Sequence, residues 1–218
     1  MNMLKILIGD DHRIVREGLK QVLADAPEIE VAAEAETGPE VLLRVQALDG
    51  DKGLDAVLLD IALPDRDGLD VLQALKKSWP RLPVLMLSTY PEKQYAVRCI
   101  KLGASGYLNK SADADDMVGA VRKVAAGGLY VSAATAEALA TAVGRGAGQG
   151  AEVLSHREHQ VYRLLSAGHS VSEIGAQLGL APNTVSTYRA RILEKTGTKN
   201  DVELALYAER HGKQGSPG

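Results

Sequence analysis

The 218-residue sequence contains no phenylalanine, one tryptophan (Trp79) and one cysteine (Cys99). Without phenylalanine the expected cores are aliphatic, built from leucine, valine and alanine. A lone cysteine excludes an internal disulfide framework and points to a reducing cytoplasm, with Cys99 read as ordinary packing. No run of about 18 apolar residues occurs, so no membrane-spanning helix is expected. The start MNMLKILIGDDH lacks the charged lead, long apolar stretch and small-residue cleavage site of a secretory signal. The five histidines (His12, His156, His159, His169, His211) have no cysteine partners and no zinc-finger spacing; His156 and His159, three apart, could share a helix face and read as surface or capping residues rather than a metal pair. There is no internal repeat.

A strong basic excess is also missing, since the net charge is −3. Its distribution is uneven, however. Residues 1–151 carry 17 Lys+Arg against 21 Asp+Glu, whereas residues 152–218 carry 8 against 7. Between 182 and 199, Arg189, Arg191, Lys195 and Lys199 face only Glu194. Basic charge is concentrated in one late segment, as a nucleic-acid footprint requires.

What is present is the composition of an ordinary globular protein long enough for two small domains, 45% apolar and 24% charged. Short apolar runs alternate with helical patterns from the start: LKILIG, IEVAAEAE, DAVLLD, PVLMLS and SGYLNK read as strands, each followed by a helix. Five strands alternating with five helices predict a doubly wound α/β fold with a five-stranded parallel sheet. Residues 130–143 read as an Ala-rich helix, and GRGAGQGAE as a flexible linker. After Leu154 the pattern is helical. Ser155 with Glu158, and Ser170 with Glu173, have capping-box spacing; Gly168 and Gly179 close helices, and Pro182 opens one. The expected organisation is a sheet domain over 1–126, a linker helix and Gly-rich linker over 127–151, a small all-α helix-turn-helix domain over 152–211, and a disordered tail over 212–218.

Polar groups cluster at the strand ends. Asp10 and Asp11 follow the first strand, Asp60 ends the third, Ser88 the fourth and Lys110 the fifth, while the runs behind them are apolar. In such sheets ligands bind at the carboxyl ends of the strands, where strand order reverses. Three carboxylates converging there are costly unless a cation neutralises them, and Mg2+ suits an all-oxygen set. Asp65 and Asp67, in PDRDG, read as turn and helix-cap residues.

The segments DD at 10–11, LLDIALPDRDG at 58–68, LS at 87–88 and GASGYLNK at 103–110 resemble the receiver domain of two-component response regulators, over about residues 3–125. The resemblance implies a flavodoxin-like fold in which Asp60 accepts a phosphoryl group from a sensor histidine kinase. It also implies that Asp10, Asp11, Asp60 and the backbone carbonyl of Ala62 hold Mg2+, and that Ser88 and Lys110 engage the phosphoryl group. Tyr107 is then the aromatic that moves inward when Ser88 engages the phosphate. Ser111 follows Lys110 where many receivers have proline.

The motifs LSHRE, AGHSVSEIGAQLGLAPNTVSTYRARILEK and TKNDVEL resemble the LuxR/NarL/FixJ-type helix-turn-helix, over about residues 152–210. Val185, Tyr188 and Ile192 form a core stripe on the third helix, leaving Asn183, Thr184, Ser186, Thr187, Ala190 and Arg191 toward double-stranded DNA. Arg189, Arg191 and Lys195 are the expected phosphate contacts. The last helix is the expected homodimer contact through Val202 and Leu206, with Leu204 a further candidate. Ala181 stands where relatives often have a serine cap, and Ser186 where they often have lysine. The predicted function is a phosphorylation-controlled transcription regulator. A receiver serving only as a dimerisation module, and a phosphohydrolase, are the alternatives. The hydrolase needs an acid/base carboxylate two residues past the nucleophile, where Ala62 stands; self-dephosphorylation remains open.

Overall fold

The computed structural model describes residues 3–89, 92–144, 154 and 156–212. The chain divides into two compact units, Met1–Ala147 and Gly148–Gly218, each described by itself.

The first unit contains β1 (Leu4–Gly9), α1 (Arg13–Ala24), β2 (Ile29–Ala35), α2 (Gly38–Ala47), β3 (Ala56–Asp60) and α3 (Gly68–Ser78). It continues with β4 (Val84–Ser88), α4 (Glu92–Lys101), β5 (Gly106–Asn109), α5 (Ala114–Ala125) and α6 (Ala133–Gly144). The five strands lie in the order β2-β1-β3-β4-β5, and every pair is parallel. Side chains alternate across the sheet. Leu7, Val57, Leu59, Val84 and Met86 pack on one face with α2, α3 and α4. Ile6, Ile8, Ala56, Leu58, Leu85 and Leu87 pack on the other with α1 and α5. Both faces are covered, so β3 and β4 are buried along their whole length, which is why they read as unbroken apolar runs. Cys99 lies in this core, where burial pushes its thiol up to about 12, so it is an inert packing group.

Strand order reverses between β1 and β3, and their carboxyl ends therefore flank the crevice of the fold. Asp67 caps α3 by accepting from the Leu69 N–H at 2.9 Å, while Asp65 takes a left-handed φ of 61°. Gly68 is required beside them, because a Cβ there would stand 2.0 Å from the Asp60 carbonyl oxygen.

The Ala-rich helix, counted with the linker in the sequence reading, packs with the sheet unit instead. Tyr130 extends the sheet edge: its N–H donates to the Ser105 carbonyl at 2.9 Å, and its carbonyl accepts from Tyr107 at 3.1 Å. Glu92 of α4 then holds the start of α6, accepting from the Ser132 N–H at 3.1 Å and the Thr135 hydroxyl at 2.7 Å.

The second unit comprises α7 (His156–Ser166), α8 (Val171–Leu178), α9 (Pro182–Thr196) and α10 (Asp201–Gly212). Its core is small and aliphatic: Leu154, Val161, Leu165, Ile174, Val185, Ile192 and Leu204. Ser170 and Glu173 form the reciprocal capping box expected of them, and Gly179 ends α8 in the left-handed region. Ala181 precedes Pro182 without a side-chain cap. Leu204 is fully buried and so is no partner contact, whereas Val202 and Leu206 are exposed. The Gly-rich linker at 145–151, Ser155 with its capping box, and the tail beyond Gly212 lie outside the described residues. Among the described residues, no helix is long and apolar enough to cross a membrane.

Candidate functional site

The sheet brings its polar strand ends into one pocket. Lys110 Nζ lies 2.6 Å from Asp10 Oδ2 and 2.9 Å from Asp60 Oδ2, bridging the two carboxylates. Asp10 and Asp60 are buried, Asp11 partly so, and Ser88 is buried beside them. Burial pushes the Asp60 carboxyl up; Lys110 opposes this, Asp10 adds to it, and the net direction is upward. Burial works against the Lys110 charge, but Asp60 and Asp10 outweigh it and hold the ammonium above its ordinary range. Asp10 Oδ2 and Asp60 Oδ2 share the Lys110 ammonium, and Asp11 Oδ1 lies 2.8 Å from His12 Nδ1. One ligand atom from each of Asp10, Asp11, His12 and Asp60 lies within 4.8 Å of the others. Three carboxylates converging at one buried strand edge suit a hard divalent cation such as Mg2+, and the exposed His12 imidazole is not needed for it.

Tyr107 is buried, and its hydroxyl is hydrogen-bonded to the Ser88 side chain; burial raises its pKa. The ring that the sequence reading expected to move inward thus already lies inward here. The Ala62 backbone N–H donates to the Asp60 carboxylate. No cis peptide occurs among the described residues, so the Lys110–Ser111 bond is trans. Ser111 turns back on Asn109, whose Oδ1 accepts from its N–H at 2.9 Å and its hydroxyl at 2.7 Å.

In the second unit, α9 buries Val185 and Ile192 and leaves Asn183, Thr184, Ser186, Thr187, Ala190 and Arg191 exposed. Asn183, Thr184, Thr187, Tyr188 and Arg191 line a shallow cleft of about 320 Å³. The other two basic residues have partners within the unit. Arg189 Nε donates to Asp201 Oδ1 at 2.8 Å, tying α9 to α10. Lys195 Nζ donates to Glu158 Oε2 at 2.8 Å, and that carboxylate is buried, at 3% exposure.

Two family models match the chain. Residues 6–122 match the response regulator receiver domain, and residues 152–208 match the bacterial regulatory proteins of the luxR family. The chain belongs to the response regulators. Among the relatives of this regulator, response regulator GacA of Pseudomonas aeruginosa is 37% identical over 212 residues, spanning 96% of this chain and 97% of GacA. Transcriptional regulatory protein UhpA of Escherichia coli is 38% identical over 203 residues, 93% of this chain and 96% of UhpA. Among solved structures, response regulator ChrA of a heme-sensing two-component system is 29% identical, with a TM-score of 0.52, covering 97% of this chain and 99% of ChrA. RcsB of Salmonella enterica serovar Typhimurium, solved bound to promoter rprA with the phosphomimetic BeF3-, shares the fold at 24% identity and a TM-score of 0.56, covering 94% of this chain and 98% of RcsB.

Within the response regulator, Asp10, Asp11, Asp60 and Lys110 are gathered in one place, and Ser88, at the end of the neighbouring strand, is bonded to Tyr107. Arg189 and Lys195 are half-buried on α9 and paired with Asp201 and Glu158. The sequence reading missed His12 and Arg16. His12 follows the Asp pair directly, and its Nδ1 lies 2.8 Å from Asp11 Oδ1. Arg16, a buried arginine on α1, donates to the Asp10 backbone carbonyl at 2.7 Å. An arginine in an amphipathic helix pattern reads as solvated, and only its burial distinguishes it.

Proposed function

We propose that this response regulator takes a phosphoryl group onto Asp60 from a phosphohistidine of a sensor kinase and thereby controls its binding to promoter DNA. The observation that carries the proposal is the placement of the Asp60 carboxylate, buried at the end of β3 with Lys110 Nζ 2.9 Å away. In the transfer, an Asp60 oxygen attacks phosphorus, the phosphorus–nitrogen bond breaks, and the imidazole leaves with the electron pair of that bond. Lys110 then loses a carboxylate partner and gains a phosphoryl oxygen, and the Ser88 hydroxyl is within the same pocket to bond another. Asp10, Asp11, Asp60 and the Ala62 carbonyl would hold Mg2+, which supplies charge neutralisation for the incoming phosphoryl group. Ser88 is already joined to Tyr107, so a Ser88 hydroxyl that turns to the phosphate changes the tyrosine's bond and links the charge event to the β4–β5 edge. Acceptance of the group is the chemistry of this site. Position 62 is alanine, so the acid/base carboxylate that phosphohydrolases commonly carry two residues past the nucleophile is not at that position.

The DNA face is the exposed side of α9: Asn183, Thr184, Ser186, Thr187 and Ala190 toward base edges, and Arg191 toward phosphate. Arg189 and Lys195 support this face from within the unit. The DNA-bound RcsB supports binding as a homodimer, for which the exposed Val202 and Leu206 on α10 provide apolar contact. A sensor-kinase partner and genomic DNA as target support a cytoplasmic location. The test is incubation with a small phosphodonor and Mg2+: wild type acquires an alkali-labile acyl phosphate and Asp60→Ala none. Phosphate retained on Asp60→Ala refutes the assignment.

A further inference from the structure

We propose that Arg16 is a positioning residue of the acidic pocket: its guanidinium fixes the backbone at Asp10, so that the Asp10 and Asp11 carboxylates face a divalent cation beside Asp60. The inference rests on the reading of that pocket given above.

Arg16 lies in the first turns of α1, and its side chain is 7% exposed. Three of its nitrogens are committed. Nη1 donates to the Asp10 carbonyl at 2.7 Å in a buried contact, Nε donates to Glu34 Oε2 at 3.1 Å, and Nη2 pairs with Glu36 Oε1. Glu34 lies in β2, and Glu36 follows that strand. One planar fork therefore ties α1 to the ends of β1 and β2. Lys20 braces the same strand by donating to Glu34 Oε1 at 2.8 Å.

The consequence falls on the Asp10 peptide groups. The Asp10 N–H donates to the Ala35 carbonyl at 3.0 Å, and Arg16 holds its carbonyl. Asp10 Oδ1 accepts from the His12 N–H at 2.9 Å. With both peptide groups and one carboxylate oxygen assigned, Oδ2 is left facing Lys110 and Asp60. Beyond Gly9 the sheet no longer holds this segment on the β3 side, where pairing stops at Gly9 with Leu59. Rotation of the Asp10–Asp11 peptide would swing both carboxylates, and the guanidinium blocks that rotation. Lysine cannot substitute fully, because one ammonium cannot span three acceptors in a plane.

The experiment is calorimetric titration of the full-length chain with Mg2+, in wild type, Arg16→Met, Arg16→Lys and Asp10→Asn, with metal-free thermal unfolding of each. Loss of an outer support of a metal ligand weakens metal affinity by roughly 10-fold or more. Both Arg16 variants are expected to bind Mg2+ about that much more weakly at a temperature where they are folded, lysine less severely. Amide exchange at Asp11 and His12 is expected to accelerate without metal. If Arg16→Met fails to fold, Arg16→Lys carries the measurement. Arg16 variants that bind Mg2+ as tightly as wild type, whatever their melting temperature, make Arg16 only a staple and overturn the proposal. A wild type that binds no Mg2+, or an Asp10→Asn chain that binds it undiminished, overturns the pocket reading itself and the Arg16 proposal with it.

Discussion

Replacing Lys195 with alanine separates a folding role from a DNA-binding role for the basic residues of α9. Lys195 donates to Glu158 at 2.8 Å, and Glu158 is buried on α7. Truncation withdraws a charged hydrogen bond from a buried carboxylate, a loss of roughly 1.5–3 kcal/mol. In a domain of 60–100 residues each kcal/mol moves the melting temperature by about 4–8 °C, so a fall on the order of 10 °C is expected. Arg191 has exposed surroundings, and Arg191→Ala should change stability by less than about 0.5 kcal/mol while weakening DNA binding. The assay is thermal unfolding of the full chain by circular dichroism at 222 nm. Trp79 lies in the sheet unit, so its fluorescence reports that unit alone and serves as the internal control. Lys195→Ala should shift the dichroism transition of the helical unit and leave the Trp79 transition in place. An unshifted transition, with DNA affinity lost as in Arg191→Ala, would refute the assignment of Lys195 to Glu158.

Leu204→Ala should destabilise the helical unit by about 2–5 kcal/mol because it opens a cavity in a small core. Val202→Asp with Leu206→Asp, on the exposed side of the same helix, should leave unfolding nearly unchanged and abolish cooperative binding to paired half-sites, read by gel shift. Acid should loosen α6. Burial alone would raise the Glu92 carboxyl, but the hydrogen bonds from Thr135 and Ser132 outweigh it, and its pKa lies below the ordinary 4.5. A depressed folded value stabilises above the unfolded pKa, and that stabilisation is lost as pH falls below about 4.5 and through the folded value. Hydrogen exchange across α6 should therefore rise at acid pH in wild type and be already raised at neutral pH in Glu92→Gln. Equal protection in both at neutral pH would refute the latch.

The parallel sheet, the helix order and the strand-end groups Asp10, Asp11, Asp60 and Lys110 of the acidic pocket were legible in the sequence, whereas His12 and Arg16 were not. Apolar runs bounded by aspartate, serine and lysine report a strand that enters a core and ends at a crevice, and that signal is local. The linear pattern also gave the buried face of α9 through Val185 and Ile192 and the capping of α8 through Ser170 and Glu173. Only tertiary structure decided the roles of long charged side chains. Arg16, Glu92, Glu158, Arg189 and Lys195 carry the same sequence signature as solvated surface residues, yet each reaches a partner on another element. Their flexible apolar stems allow a buried or an exposed course, and which is taken depends on what the fold places within reach. The same holds for Leu204 against Val202 and Leu206: an apolar residue near a helix end fits a core or an interface equally, and only the packing of α10 on α7 and α9 fixes which side faces in.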